Sequence, residues 1–281
     1  MDKASAKLLE SILAQAVRRE GIPYPLISTG SLWDIADRHG VPLRELEAAV
    51  LEAGVVPIRY QRNIGTIGVE GQLRLVRSCV GICGLGGLGG YVAEELARFG
   101  LGGLVLVDGD VFDESNLNRQ LLCSEGDLGR SKAEAAAERV RAVNRATVLS
   151  LHGRLETLED ALEFFSDANV VVDALDNVPT RLLLEEGCRA LGIPMVHGAI
   201  AGNTGQVMTI FPGDPGLRDL YPPGGEHGVE TIEGNPPTTP ALVASLQAQE
   251  AVKVLCGGEP IRHGFLLVDT SANVFQFIPL R

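Results

Sequence analysis

The chain has little that is aromatic (5%), a single tryptophan and five cysteines in 281 residues. The cysteines are Cys79, Cys83, Cys123, Cys188 and Cys256. Their number is odd and no CxxC pair occurs, which argues against a disulfide framework and against a cysteine-rich zinc site. No run of about 18 apolar residues is present, so no membrane span is expected. The opening segment, MDKASAKLLESILAQAVRRE, is charged throughout. It lacks the apolar block and small-residue cleavage site of a signal peptide, and a cytoplasmic location is expected. Basic residues are also short: 24 Lys and Arg stand against 36 Asp and Glu, a formal net charge of -12. That balance disfavours broad nucleic-acid binding, which needs a basic surface to displace counterions, and leaves room for a local basic pocket.

What is present suits a folded α/β protein. Hydrophobic residues make up 45% and charged ones 21%, enough for one large domain with a small appendage. Residues 5–20 carry Leu8, Leu9, Ile12, Leu13, Ala16 and Val17 at helical spacing. A second helix is predicted from a Ser31 cap to His39, stopped by Gly40, and a third from Pro42 to Ala53, stopped by Gly54. This pair resembles a helix-turn-helix. Its second helix holds Glu45, Glu47 and Glu52 against a single Arg44, a balance that phosphates would repel, so a docking bundle is the favoured reading over DNA recognition.

From Leu73 the pattern changes to LRLVRSCVGICGLGG, read as an apolar strand running into a glycine cluster. Helices are predicted at 90–99, 130–144, 157–166 and 178–191, and strands at 102–110, 148–153, 168–175 and 194–200. Alternation at this pace means a parallel sheet with helices on both faces. GQVMTIFP, FLLVDTS and NVFQFIP near the end predict antiparallel strands that extend it. Between them lies a Gly- and Pro-rich loop from 213 to about 240, long enough to be functional.

Gly84, Gly86 and Gly89 fit GxGxxG, directly after a strand and opening a helix. Glycines there permit a tight turn and let backbone N–H groups approach phosphate at a helix N-terminus. Asp108 ends the next strand, where a carboxylate can accept ribose hydroxyls. An adenine nucleotide is therefore expected. A triphosphate carries roughly four negative charges and needs cations or a metal, unlike the bridge of a dinucleotide. Arg62, Arg119 and Lys132 are candidate cations, and Asp176 follows strand 168–175 at the edge where open α/β sheets bind ligands. An acid there can hold Mg2+.

RYQRNIG, GLGGLG, VDGDVFDESNLNRQ, GRSKAEAAAERV, VDALDNVPTR and IPMVHGAIAGNTGQV occur in that order. Together they resemble the motifs of the ThiF/MoeB/HesA family, prokaryotic relatives of ubiquitin-activating enzymes. The resemblance covers about residues 57–270. It implies a Rossmann-like, mostly parallel sheet extended by antiparallel strands, with residues 1–55 as a small helical domain and 56–281 as an adenylation domain. It further implies that Gly84, Gly86, Gly87 and Gly89 form the phosphate loop and that Asp108 holds the ribose, with Asp110 nearby. Asn116, Arg119, Gln120 and Lys132 lie along the triphosphate. Asp176, with Asn177 beside it, binds Mg2+ and orients the attacking carboxylate. Arg62 reaches the neighbouring subunit's site, which makes the enzyme a homodimer, and Arg181 has a structural role.

Two departures from the family pattern stand out. The first zinc-binding pair of many members would fall in PGLRDLYPP, where Gly216 and Asp219 occupy the cysteine places, and the second would lie near the C-terminal IPLR; zinc is not expected. The stretch GGEHGVETIEGNPPTTPAL has no cysteine to receive an activated partner. The resemblance thus implies adenylation, with ATP and Mg2+, of the C-terminal glycine of a ubiquitin-like sulfur carrier of the ThiS or MoaD kind, stopping at the acyl-adenylate. The alternatives are a small-molecule carboxylate, a modified tRNA base, a nucleotide-binding regulator and an NAD(P)-dependent oxidoreductase. The acidic charge weighs against the tRNA, and the cations at Arg119 and Lys132 weigh against the last two.

Overall fold

The computed structural model describes residues 3–221 and 234–280. Three helices come first: α1 (Lys3–Gln15), α2 (Thr29–His39) and α3 (Leu43–Glu52). α1 ends before the apolar periodicity does, because Val17 leaves the helix and pairs with Leu26 in an antiparallel bridge. α2 starts earlier than expected. Its N-cap is Ser28, whose Oγ accepts the Ser31 N–H at 3.0 Å. Gly40 closes α2 in the left-handed conformation, φ 63°. Ile12, Ile27, Leu32, Ile35, Leu46, Val50 and Val55 form the core between these helices. Arg44 on α3 donates to the carbonyls of Val76 and Arg77 at 3.1 and 2.7 Å. Glu47, on the same helix, is buried and accepts from the Tyr60 hydroxyl at 2.8 Å. The helix that would read DNA thus directs both residues at the rest of the chain.

β1 (Leu26–Ile27) and β2 (Val56–Pro57) form a short parallel pair. Next comes α4 (Ile64–Arg77), where the sequence predicts a strand from Leu73. Gln72, Leu75 and Val76 bury one face of this helix, and β3 (Cys79–Cys83) begins only after it. An interruption at Gly68 (φ 69°, ψ 173°) conceals the helical period in the sequence.

The main sheet adds β4 (Gly103–Val107), β5 (Val148–His152), β6 (Val170–Asp173), β7 (Met195–Ala201), β8 (Thr204–Ile210), β9 (Gly264–Asp269) and β10 (Val274–Pro279). Its order is β10-β9-β8-β7-β6-β3-β4-β5. The five strands from β5 to β7 run parallel, and β8, β9 and β10 continue antiparallel. The remaining helices are α5 (Gly89–Phe99), α6 (Lys132–Val143), α7 (Leu158–Phe164), α8 (Val178–Leu191), α9 (Leu217–Leu220) and α10 (Thr238–Cys256). α10 lies between β8 and β9 and ends at Cys256.

The central strands are apolar on both faces, as strands covered on both sides must be. Val80, Ile82, Leu104, Leu106, Val170 and Val172 face α5, α6 and α10. Cys83, Val105, Val107 and Val171 face the other way, against Ala161, Phe165, Leu184 and Cys188 of the α7–α8 side. Strand order reverses between β3 and β6, and the crevice beyond their carboxyl ends is where such sheets bind ligands. Among the described residues, no helix is long and apolar enough to cross a membrane. Residues 222–233, the middle of the predicted 213–240 loop, lie outside the described residues.

Candidate active site

A cavity opens at that switch point. Its floor is the glycine loop. Gly84 follows β3 at φ 90°, and a Cβ there would lie 2.6 Å from the Ala174 carbonyl oxygen. Only glycine has the left-handed freedom and the missing side chain that this contact needs. A Cβ on Gly89 would lie 1.8 Å from the Gly84 carbonyl oxygen, so the loop folds tightly onto the start of α5. The loop is therefore pressed between its own helix and the chain leaving β6.

Asp108, just beyond β4, accepts from the Leu85 N–H on Oδ2 at 2.7 Å and from the Asp110 N–H on Oδ1 at 2.8 Å. Burial pushes its carboxyl above the usual range, against the opposing pull of those N–H groups and of Lys132. Asp110 takes two cations: Lys132 Nζ lies 3.3 Å away and Arg154 Nη2 2.7 Å away. Lys132, the first residue of α6, is buried. Arg119 is half-buried, its stem close to Gly87, and it donates to the Ser115 carbonyl and Asn118 Oδ1. Asp176 and Asn177 stand where the chain leaves β6; Asn177 caps α8 through its Oδ1 and the Thr180 N–H, at 2.9 Å.

Of the residues singled out in the sequence, Gly84, Gly86, Gly87, Asp108, Asp110, Arg119, Gln120, Lys132, Asp176 and Asn177 line this cavity. Gly89 shapes the loop behind it. Asn116 is buried outside the lining, its Oδ1 accepting the Asp113 N–H in a capping box. Arg62 is exposed on the turn ahead of α4, also outside the lining. The lining also includes Arg154, Thr180, Arg181 and Asn235. Arg154 follows β5 at the same carboxyl edge, a placement the strand pattern signals. Arg119, Lys132, Arg154 and Arg181 together set four cations around one cavity in a chain of net charge -12.

Two lining residues test whether a nucleotide fits. Gln120 Oε1 and Asn235 Oδ1 are buried and have no hydrogen-bond partner among the described residues. Bare buried acceptors cost about 1–3 kcal/mol each, and adenosine supplies amino and hydroxyl donors. No group of three or more His, Cys, Asp and Glu side chains among the described residues could hold a metal alone. A single carboxylate such as Asp176, completed by phosphate oxygens and water, is a donor set that suits Mg2+. Burial pushes all five thiols up, Cys79 to about 11 and Cys123 against the pull of Lys132.

Comparison with known proteins agrees with this architecture. The SAMP-activating enzyme E1 of Haloferax volcanii is 40% identical over 230 residues, 79% of this chain and 85% of that protein. The adenylyltransferase and sulfurtransferase MOCS3-2 of Zea mays is 37% identical over 231 residues, and the match spans 48% of its length. The chain thus covers about half of the MOCS3 relatives. Among solved structures, Escherichia coli MccB with AMPCPP and MccA superposes with a TM-score of 0.69 at 20% identity, over 79% of this chain and 71% of that one. The microcin C7 biosynthetic enzyme MccB with N-formylated MccA has a TM-score of 0.69 at 19% identity, over 98% of this chain and 88% of that one. At these identities the structures establish a shared fold. The family model for ThiF matches residues 60–281, and the chain belongs to the ThiF family.

Proposed function

We propose that the protein uses ATP and Mg2+ to adenylate the C-terminal glycine of a ubiquitin-like sulfur carrier, releasing pyrophosphate. The observation that carries this reading is the cavity at the strand-order reversal, where a glycine loop, Arg119, Lys132 and Asp176 converge. The names of the relatives, an activating enzyme and an adenylyltransferase, support it.

A carboxylate oxygen attacks the α-phosphorus of ATP in line, the bond to the bridging oxygen breaks, and pyrophosphate leaves with the electron pair. The nucleophile is already ionised at pH 7, so no general base is required. Both reactants are anionic, and the residues act by offsetting that repulsion. Backbone N–H groups of the glycine loop receive phosphate oxygens. Arg119 and Lys132 stabilise charge that grows on the leaving oxygens. Bound Mg2+ would neutralise phosphate charge. Asp176 would hold it and set the position of the incoming carboxylate. Asp108 accepts from the nucleoside, and Gln120, which the resemblance sets along the triphosphate, turns in a bare Oε1 that suits a nucleoside donor instead. Asp110 positions Lys132. We read residues 1–55 as a helical unit distinct from the adenylation unit at 56–281. Arg62 completes the site of a second copy in a homodimer.

The test is ATP–pyrophosphate exchange driven by carrier proteins ending in Gly-Gly. Exchange is expected with such a carrier, and Asp176→Ala should lower it by on the order of a hundredfold with a smaller change in ATP binding. Exchange driven by a small carboxylate instead would reassign the substrate. Full activity in Asp176→Ala would refute the chemistry.

A further inference from the structure

We propose that Arg181 is the positioning residue of this site: with Asp173, His197 and Tyr221 it fixes the 174–177 turn that presents Asp176. The proposal rests on the adenylation reading above. The turn is pinned on both sides of one residue, Leu175. The Leu175 N–H donates to Asp173 Oδ1 at 3.0 Å, and Arg181 Nη2 donates to the Leu175 carbonyl. Asp176 is the next residue. Asn177 then caps α8, the Arg181 N–H returns to the Asn177 carbonyl at 3.3 Å, and the ring of contacts closes on itself. Asp176 is therefore carried by a segment whose two ends are tied to the same residue, one to the Arg181 guanidinium and the other to its backbone N–H.

Residues far apart in sequence brace that guanidinium. Arg181 Nη1 donates to the Tyr221 hydroxyl oxygen at 3.1 Å, which also accepts from Gln206 Nε2 at 2.8 Å. His197 Nδ1 lies 2.7 Å from Asp173 Oδ2, and its Nε2 lies 3.1 Å from the Tyr221 oxygen. One proton arrangement satisfies these contacts. His197 is neutral and donates from Nδ1 to Asp173, and its Nε2 accepts the Tyr221 proton. Burial drives His197 toward that neutral form, opposed by its bond to Asp173 and aided by Arg181. Burial opposes ionisation of Asp173, but Arg181 and His197 outweigh it and keep the carboxyl low. The fixed charges are then one carboxylate and one guanidinium, both buried.

The same turn also supports the phosphate loop. The Ala174 N–H donates to the Cys83 carbonyl at 2.9 Å, and Gly84 packs on the Ala174 carbonyl. Displacing the turn would move the metal-binding carboxylate relative to the phosphates. Misplacement of about 1 Å costs on the order of a hundredfold in rate.

The experiment compares the full chain with Arg181→Lys, which keeps the charge and loses the fork, with Tyr221→Phe, which loses one hydroxyl, and with Asp176→Ala. Carrier-driven exchange is read as kcat, as KM for ATP and as the Mg2+ concentration giving half the maximal rate, beside the thermal midpoint. Arg181→Lys should lower kcat by about ten- to a hundredfold and raise the Mg2+ requirement severalfold, with KM for ATP within about threefold. Tyr221→Phe should shift the same two readouts in the same direction by less. If Arg181→Lys does not fold, Tyr221→Phe carries the test. Loss of rate in proportion to unfolded protein, with an unchanged Mg2+ profile, would make Arg181 structural only. Wild-type behaviour of both variants beside an inactive Asp176→Ala overturns the inference alone. An active Asp176→Ala overturns the adenylation reading beneath it.

Discussion

Glu47 offers a test of how the N-terminal helices are joined to the rest. Its carboxylate sits on α3, 4% exposed, and accepts from the Tyr60 hydroxyl. Tyr60 oxygen accepts from Asn144 Nδ2 at 2.9 Å, and Arg59 donates to Asn144 Oδ1 at 2.6 Å. Burial raises Glu47 to about 7, with the Tyr60 bond and Arg59 pulling the other way. The ordinary glutamate value is 4.5, so between 4.5 and about 7 the folded chain holds a proton that the unfolded chain has released. Stability contributed by this group is intact below 4.5 and falls as pH rises toward 7. The difference corresponds to roughly 3 kcal/mol in full, of which about 2.5 kcal/mol should develop between pH 5 and 8.

Glu47→Gln keeps an acceptor for Tyr60 and removes the titration. Its absolute stability is not the readout, because the new amide N–H groups need acceptors. The readout is the difference between wild type and variant in denaturant unfolding at pH 5 and pH 8. That difference should move in favour of the variant by about 2–3 kcal/mol, or by about 3–5 °C in thermal midpoint for a chain of this size. Other titrating groups are common to both proteins and cancel. A parallel pair of stability profiles from pH 5 to 8 would show that Glu47 is solvated or ionised throughout, and would refute the buried join between α3 and Tyr60.

Gly84→Ala should cost about 1–2 kcal/mol for the left-handed conformation alone, and the contact with Ala174 should displace the loop and raise KM for ATP at least about tenfold; an unchanged KM would remove the loop from the phosphate site. Mixing Arg62→Ala chains with Asp176→Ala chains should restore part of the exchange activity through hybrid sites, and proven heterodimers without rescue would count against a shared site. Replacing all five cysteines with Ala or Ser should lower stability, since Cys83 and Cys188 are buried, yet leave exchange intact in the folded fraction; loss of exchange there would make Cys123 the first residue to reconsider.

The parts of the fold legible in the sequence are those that local chemistry dictates. The helix at 178–191 matches the structure at both ends because Asn177, Pro179 and Gly192 are strong punctuation. The glycine loop was legible because turn geometry and close backbone approach allow little else. Leu73–Arg77 misled because a short apolar run has no period of its own, and Gly65, Gly68 and Gly71 break the pattern ahead of it. Ser28 and Ser31 are equally good caps by type, and only the packing of Leu32 and Ile35 decides between them. Within the SNLNRQ motif the sequence pointed to Arg119 and Gln120, which line the cavity, and also to Asn116, which is instead taken up by a capping box outside it. At Arg154 the strand pattern signals the carboxyl edge but not the ion pair with Asp110, which exists only once β5 lies beside β4. Asn235 was not legible, because its place depends on the chain returning to Asn118, whose Nδ2 donates to its carbonyl.

The thiols bear on where the reaction ends. An acyl-adenylate is a mixed anhydride and must be consumed by a nucleophile. The thiolate is the reactive form of cysteine, and each unit by which burial raises a thiol lowers its thiolate fraction about tenfold. All five thiols in the 281 residues are shifted upward by burial. Cys83 and Cys188 are packed in the core on the α7–α8 side. Cys79 is half-buried at the start of β3, and Cys256 lies on Gly71, its thiol donating to that carbonyl at 3.7 Å. Cys83 itself touches the cavity lining, but it is buried and its thiol is pushed well up. Cys123, close to Gln120 in sequence, is not part of the lining, and Asp127 raises it further. The cavity therefore collects cations for an anionic leaving group, while burial works against the thiolate form at each of the five cysteines. The activated carboxyl is then expected to pass to a nucleophile outside these 281 residues.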